Sequence, residues 1–210
     1  MKIHLVAVLL AGCQVSAWAD GLKDLEDFVK NTKSGRSEFT QVVTAPAKAG
    51  QSARSKTSSG TFEFLRPNRF KFVYQKPFEQ TIVADGQTLW LYDVDLKQVT
   101  ARQQSQALGT TPAALIAAAP DLRALQADFT LSAAPQADGL QWVLALPKGK
   151  DGQLQSVRVG FRAGALAALE ILDSFGQKST LSFNGFQANT ALDVSHFQFK
   201  PPPGVDVVRQ

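Results

Sequence analysis

Few side chains in this sequence have the chemistry of a catalyst. Histidine is the usual proton carrier near neutral pH, and beyond the extreme N-terminal stretch the chain keeps one, His196, just ahead of the alternating pair Phe197 and Phe199. Glu63, Glu79 and Glu170 could supply a carboxylate pair for acid–base work, but nothing in their spacing brings two of them together. Asp93-Val94-Asp95 opens like a calcium loop, yet no further Asp or Asn ligands and no terminal Glu follow at calcium-loop spacing. It reads as a polar turn. No Cys/His cluster offers metal ligands, no glycine-rich phosphate loop precedes a helix, and no Gly-x-Ser-x-Gly elbow is present. The sequence therefore predicts no enzyme, no metal and no cofactor.

What the chain does offer is an apolar surface. Phe70, Phe72 and Tyr74 lie at period two, which puts them on one face of a strand, with Arg69, Lys71 and Val73 on the other. Pro67 fixes the turn ahead of that strand, since its ring holds φ and it has no N–H to donate. Asp85-Gly86 marks a hairpin between Thr81–Ala84 and a following run in which Leu89 and Leu91 alternate with Trp90 and Tyr92. Three consecutive antiparallel strands thus carry an aromatic face. That face is either one half of a packed sandwich core or the wall of an apolar, ligand-holding concavity.

The elements around it follow from composition and pattern. With 210 residues, 9% of them aromatic, the chain suits one domain with a sizeable core. Without Lys2 there remain 21 basic and 18 acidic residues, a mild and dispersed net of +3 with no cluster resembling a nucleic-acid footprint. Residues 1–19 read as an export signal: Lys2 as the positive start, Leu5 to Gly12 as an apolar run too short to span a bilayer, and Ala17-Trp18-Ala19 as the cleavage site. Residues 20–210 then form the single mature domain, free of cysteine. The competing feature is Leu10-Ala11-Gly12-Cys13, which resembles a lipobox and would make Cys13 a lipidated N-terminus.

Asp20 to Lys33 reads as an amphipathic helix with Leu22, Leu25, Phe28 and Val29 on one stripe, ended by Ser34-Gly35. Strands follow at Ser37–Thr44 and Gly60–Leu65, separated by a loop from Ala45 to Ser59. Thr111 and Pro112 begin a short, nearly all-apolar helix ending before Pro120, and Asp121 to Gln126 form another helical turn. Five more strands run from Asp128 to Phe186, and the tail from Ser195 to Val207 reads as two short strands around a proline-stiffened turn. About ten antiparallel strands without a βαβ unit make an all-β sheet with a few helices, long enough to curl into a sandwich, a barrel or an open half-barrel.

Taken in order, the exported helix and Phe39-Thr40-Gln41 strand, the Arg66-Pro67-Asn68 turn, Asp85-Gly86-Gln87-Thr88-Leu89-Trp90-Leu91-Tyr92, the Thr111-Pro112 helix and the Phe197-x-Phe199-x-Pro201-Pro202-x-Gly204-Val205 ending resemble the LolA family of periplasmic outer-membrane lipoprotein carriers. The resemblance covers nearly the whole mature chain. It implies a mainly β protein: an open, incomplete antiparallel β-barrel whose apolar inside is covered by a short-helix lid. It further implies acylated lipoproteins as cargo, an inner-membrane ATP-driven transporter that loads them, an outer-membrane receptor lipoprotein that takes them, and a monomeric carrier. Arg66 maps onto the arginine that latches the lid to the barrel by hydrogen bonds to lid backbone. Phe70 and Phe72, with Leu89 and Leu91 on the neighbouring hairpin, are the expected acyl-chain cavity, and Pro112, Leu115 and Ile116 belong to the expected lid helix. The sequence departs from the pattern at Ala113 and Ala114, where relatives can carry larger apolar groups. Two other readings share the fold: the receptor lipoprotein itself, if Cys13 is lipidated, and a half-barrel that binds another envelope lipid or partner.

Overall fold

The computed structural model describes residues 20–47, 50–107, 119–149 and 154–210. One sheet dominates. Among the described residues its twelve strands lie in the order β12 (Asp206–Arg209), β6 (Gln98–Gln103), β5 (Thr88–Asp93), β4 (Gln80–Ala84), β3 (Arg69–Lys76), β2 (Ser55–Leu65), β1 (Ser34–Thr44), β11 (Lys178–Ala188), β10 (Ala165–Asp173), β9 (Leu154–Arg162), β8 (Leu140–Pro147) and β7 (Phe129–Ala137). Every pairing is antiparallel except that of β12 (Asp206–Arg209), which joins β6 (Gln98–Gln103) in parallel. The two ends, β12 and β7 (Phe129–Ala137), do not meet, so the sheet curls without closing.

The aromatic stretch occupies β2 (Ser55–Leu65), β3 (Arg69–Lys76), β4 (Gln80–Ala84) and β5 (Thr88–Asp93). Directly opposed residues in an antiparallel pair share a face. Phe62 faces Phe72 and Phe64 faces Phe70. Phe70 and Phe72 in turn face Ala84 and Ile82, which face Leu89 and Leu91. One continuous apolar surface therefore crosses four strands and extends through Phe39 on β1 (Ser34–Thr44) to Phe183 on β11 (Lys178–Ala188).

Helix α1 (Asp20–Asn31) lies on this concave surface. It buries the stripe that its sequence presents, Leu25, Phe28 and Val29, with Leu22 packed beside them. The Phe28 ring sits 5.7 Å from that of Phe161 on β9 (Leu154–Arg162) and 6.1 Å from that of Phe64. One helix thus bridges both halves of the curl. Helix α2 (Gln104–Ala107) follows β6, and α3 (Leu122–Asp128) is capped by Asp121, whose carboxylate accepts from the Ala124 N–H.

Among the boundaries that differ from the sequence reading, three have a visible cause or change the count of elements. Ser34-Gly35 starts β1 instead of ending α1. Gly35 is required for close approach: a Cβ there would stand 2.5 Å from the Phe64 ring and 2.8 Å from that of Phe186. The loop after β1 is shorter than expected, because Ser55–Ser59 already pairs with Thr40–Thr44 in spite of its small polar composition. In the tail, Val194–Phe197 is a 3-10 turn and not a strand; Asp193 caps it by accepting from the Ser195 N–H at 2.8 Å. Only Asp206–Arg209 is extended and paired, so the tail supplies one strand instead of two.

That tail covers the opposite, convex face of β4–β6. Val83, Val99 and Ala101 are buried there together with Phe197, and Phe199 packs 5.5 Å from the Trp90 ring and 6.0 Å from that of Tyr92.

Candidate functional site

The turn between β2 and β3 places Arg66 at one end of the concave surface, with Asn68 in the left-handed region (φ 64°). The guanidinium lies over the rings of Phe64 and Phe28, at 5.2 and 5.5 Å. Its Nε donates to the Thr32 carbonyl at 2.8 Å and its Nη1 to the Ala119 carbonyl at 2.7 Å. Its backbone N–H donates to the Lys33 carbonyl at 2.8 Å. The remaining nitrogen, Nη2, is buried and has no partner among the described residues. Burial pulls the guanidinium down from 12.5 to about 10, so it stays charged at neutral pH. A single cation thereby ties the end of α1 to the chain that leads into α3.

Ala119 is the last residue of the expected lid segment and is itself buried. Pro112, Leu115 and Ile116 lie outside the described residues, as do Ala113 and Ala114. The four expected cavity residues share one face. Phe70 and Phe72 are buried at 0% and 5% exposure, while Leu89 and Leu91 are half-buried. The concavity at Phe70 and Phe72 is filled by protein. Phe62 stacks on Phe72 at 4.4 Å, Phe39 meets Phe72 edge-on at 5.3 Å, and Phe39, Phe62, Phe64 and Phe70 have almost no accessible surface. Between α1, α3 and strands β7–β9 the gap is about 10 Å³, lined by Leu25, Phe28, Leu125, Leu131, Val143, Ala145 and Val159. That is room for one water molecule. The surface has the polarity of a binding cavity and the packing of a core.

Two polar devices were not foreseen from sequence. Gln104, at 2% exposure, accepts from the Gly86 N–H at 2.9 Å and donates to the Asn68 carbonyl at 2.7 Å. It joins the Arg66-Pro67-Asn68 turn to the Asp85-Gly86 turn. The second is the hydrogen bond between His196 Nε2 and one Glu63 oxygen at 2.5 Å, beside Arg36 Nε donating to the other Glu63 oxygen at 2.5 Å. Burial pushes the Glu63 carboxyl up, but the hydrogen bonds from His196 and Arg36 outweigh it and hold the group below its ordinary value. His196 thus fastens the tail to the convex face. No spacing signal could have found a pair whose members lie 133 residues apart.

Fold and site together define an open β half-barrel with a continuous aromatic inner face, bridged by a helix and pinned at one end by a buried arginine. The profile of the family described as "Outer membrane lipoprotein carrier protein LolA" matches residues 30–200, and the chain belongs to that family. A protein of Albidiferax ferrireducens named outer-membrane lipoprotein carrier protein is 72% identical over 211 residues, covering 99% of each chain. A protein of the same name from Leptothrix cholodnii is 54% identical over 95% of this chain and 91% of its own length. One from Neisseria meningitidis serogroup B is 41% identical over 99% of both.

Proposed function

We propose that this chain is a periplasmic carrier that shields the acyl chains of lipoproteins against the concave face of its half-barrel while they cross between membranes. The observation that carries the reading is the uninterrupted apolar surface from Phe39 through Phe62, Phe72 and Ile82 to Leu91, closed at one end by Arg66. Hydrocarbon leaving water gains about 0.8 kcal/mol per buried methylene without needing a polar partner. A face made of Phe, Ile, Leu and Ala side chains supplies that burial for any lipoprotein, whatever its polypeptide.

The closed interior sets how loading works. The rings that would meet an acyl chain already meet each other, so cargo enters by replacing side-chain contacts, after the chain around Ala119 has let go of Arg66. Arg66 acts as the lid latch; Phe70, Phe72, Leu89 and Leu91 act as the acyl wall; Pro112, Leu115 and Ile116 belong to the lid. The carrier performs no catalysis. An ATP-driven transporter in the inner membrane loads it, and a receptor lipoprotein in the outer membrane unloads it by offering a better-matched apolar face. Residues 1–19 are removed on export and Asp20, the first residue of α1, starts the mature chain.

The test is reconstitution. Purified mature protein should withdraw a lipoprotein from inner-membrane vesicles supplied with ATP and pass it to outer-membrane vesicles. A chain that leaves the lipoprotein in the donor vesicles is not a carrier. Intact mass beginning at Asp20 supports the free periplasmic form, whereas a diacylated Cys13 would make the chain a membrane-held receptor instead.

A further inference from the structure

The concave face has a second end. On the rim away from Arg66, where β1, β3 and β5 finish and β2, β4 and β6 begin, a groove of about 470 Å³ opens between the β3–β4 and β5–β6 turns. Its floor is Tyr74, whose hydroxyl donates to Gln41 Oε1 at 2.9 Å and whose ring meets Phe39 edge-on at 5.0 Å. The groove therefore runs without a break into the aromatic wall. Its lips are Phe78 and Leu96, exposed at 69% and 71% on adjacent turns. Two large apolar side chains held in water beside one cleft mark an interaction surface rather than a stray exposed residue. Asp93 and Asp95 also line the groove, and among the described residues no cation does. Asp93 caps its turn by accepting from the Leu96 N–H at 3.0 Å, and among the described residues neither carboxylate forms an ion pair.

We propose that this groove is the docking site of a protein partner, which seats a segment carrying apolar side chains next to Lys or Arg between Phe78 and Leu96. The proposal deepens the carrier reading and rests on it: it names the surface by which donor or acceptor finds the carrier. The unpaired carboxylates complement a basic segment and repel an anionic lipid surface. The cleft is also concave, which suits an inserted side chain better than a flat bilayer. A segment seated there touches Tyr74, which stacks on Phe72 at 6.3 Å, so docking and hand-over share one surface.

The experiment compares the full mature chain with a Phe78→Ser/Leu96→Ser double variant and with Asp95→Lys, each checked for an unchanged melting temperature. Uptake of a fluorescent fatty acid reads the inner wall, and lipoprotein transfer between vesicles reads docking. Fatty-acid uptake is expected to be unchanged in both variants. Transfer is expected to slow by about tenfold or more in the double variant, the size of a small hot spot. Asp95→Lys is expected to slow it too and to flatten its dependence on salt. Wild-type transfer in both variants overturns the proposal. So does fatty-acid uptake that falls in step with transfer, which would make the groove part of the cavity. Binding of wild type, but not the double variant, to phosphatidylethanolamine–phosphatidylglycerol liposomes would assign the surface to membrane. A wild-type dimer that the double variant lacks would assign it to a second copy. Both results overturn a protein partner of the stated chemistry. If wild type accepts no lipoprotein at all, the carrier reading falls first and the docking proposal with it.

Discussion

Replacing Arg66 by Leu separates a latch from a turn residue, and the structure sets the size of the effect. Hydrogen bonds from a charged donor are worth about 1.5–3 kcal/mol each. Those to Thr32 and Ala119 therefore contribute roughly 3–6 kcal/mol to the closed form. Against this, burial that pulls the guanidinium from 12.5 to about 10 corresponds to roughly 3 kcal/mol disfavouring the charged group, and Nη2 recovers nothing from the described residues. The balance leaves a latch of roughly 0–3 kcal/mol, or up to about a hundredfold in the ratio of closed to open. Arg66→Leu should lower the melting temperature by no more than about 10 °C. It should raise hydrogen exchange in the segment from Ala119 through α3 by up to about a hundredfold. In the transfer assay the variant should accept lipoprotein and be slow to release it, because the empty closed form that release must regain has lost its fastening. Arg66→Lys should fall between, since one ammonium cannot reproduce the planar fork that reaches both carbonyls. Unchanged exchange after Ala119 with wild-type release would refute the latch and leave Arg66 as packing over Phe28 and Phe64.

The remaining predictions concern the wall, a glycine and the tail. Phe70→Ala should destabilise the fold by about 3–5 kcal/mol in a denaturant melt, because its ring is wholly buried. Leu91→Glu, at a half-buried position on the same face, should leave the melt nearly unchanged and abolish loading; a folded Leu91→Glu that loads normally would remove Leu91 from the wall. Gly60→Ala should cost about 3 kcal/mol, since a Cβ there would stand 1.8 Å from the Val73 carbonyl oxygen, which only backbone movement relieves. The Glu63 carboxyl is held below its ordinary 4.5, so its pairing stabilises the fold fully above that value and is lost as pH falls through the lowered one. Trp90 emission, reporting the tail through Phe199, should therefore change on acidification below about 4.5, and Glu63→Gln should remove that step.

How much of this was legible beforehand divides along the range of the interactions. Local pattern carried the strands: β10 (Ala165–Asp173) has the bounds its turns announce, and the Asp85 carboxylate caps the turn at Gln87 and Thr88 that Asp-Gly signals. The α1 stripe is the buried one. Local pattern failed where a distant group decides the outcome. Gly35 reads as a helix stop until Phe64 and Phe186 stand over it. Phe197-x-Phe199 alternates like a strand, yet the Asp193 cap winds Val194–Phe197 into a 3-10 turn and leaves Phe199 against Trp90 and Tyr92. From the residues alone Arg66 is a solvated arginine before a proline; its place came from the family resemblance. The acceptors it finds are backbone carbonyls, which no residue identity advertises. Gln104 is invisible for the same reason, since both of its partners are main-chain groups.

The filled interior and the weak latch bear on each other. If Arg66 is the latch proposed above, some four methylenes at about 0.8 kcal/mol each outweigh its roughly 3 kcal/mol, so it sets a small cost on loading and does not prevent it. What opposes loading is the loss of ring contacts such as Phe62 on Phe72, and the ligand itself restores that burial once seated. Empty and loaded forms then differ little in free energy, as reversible delivery without a nucleotide requires. On the proposed reading the latch counts equally in both directions: when the acyl chain leaves, the rings close on one another and Arg66 regains Thr32 and Ala119, which favours release by the same few kcal/mol that loading must overcome.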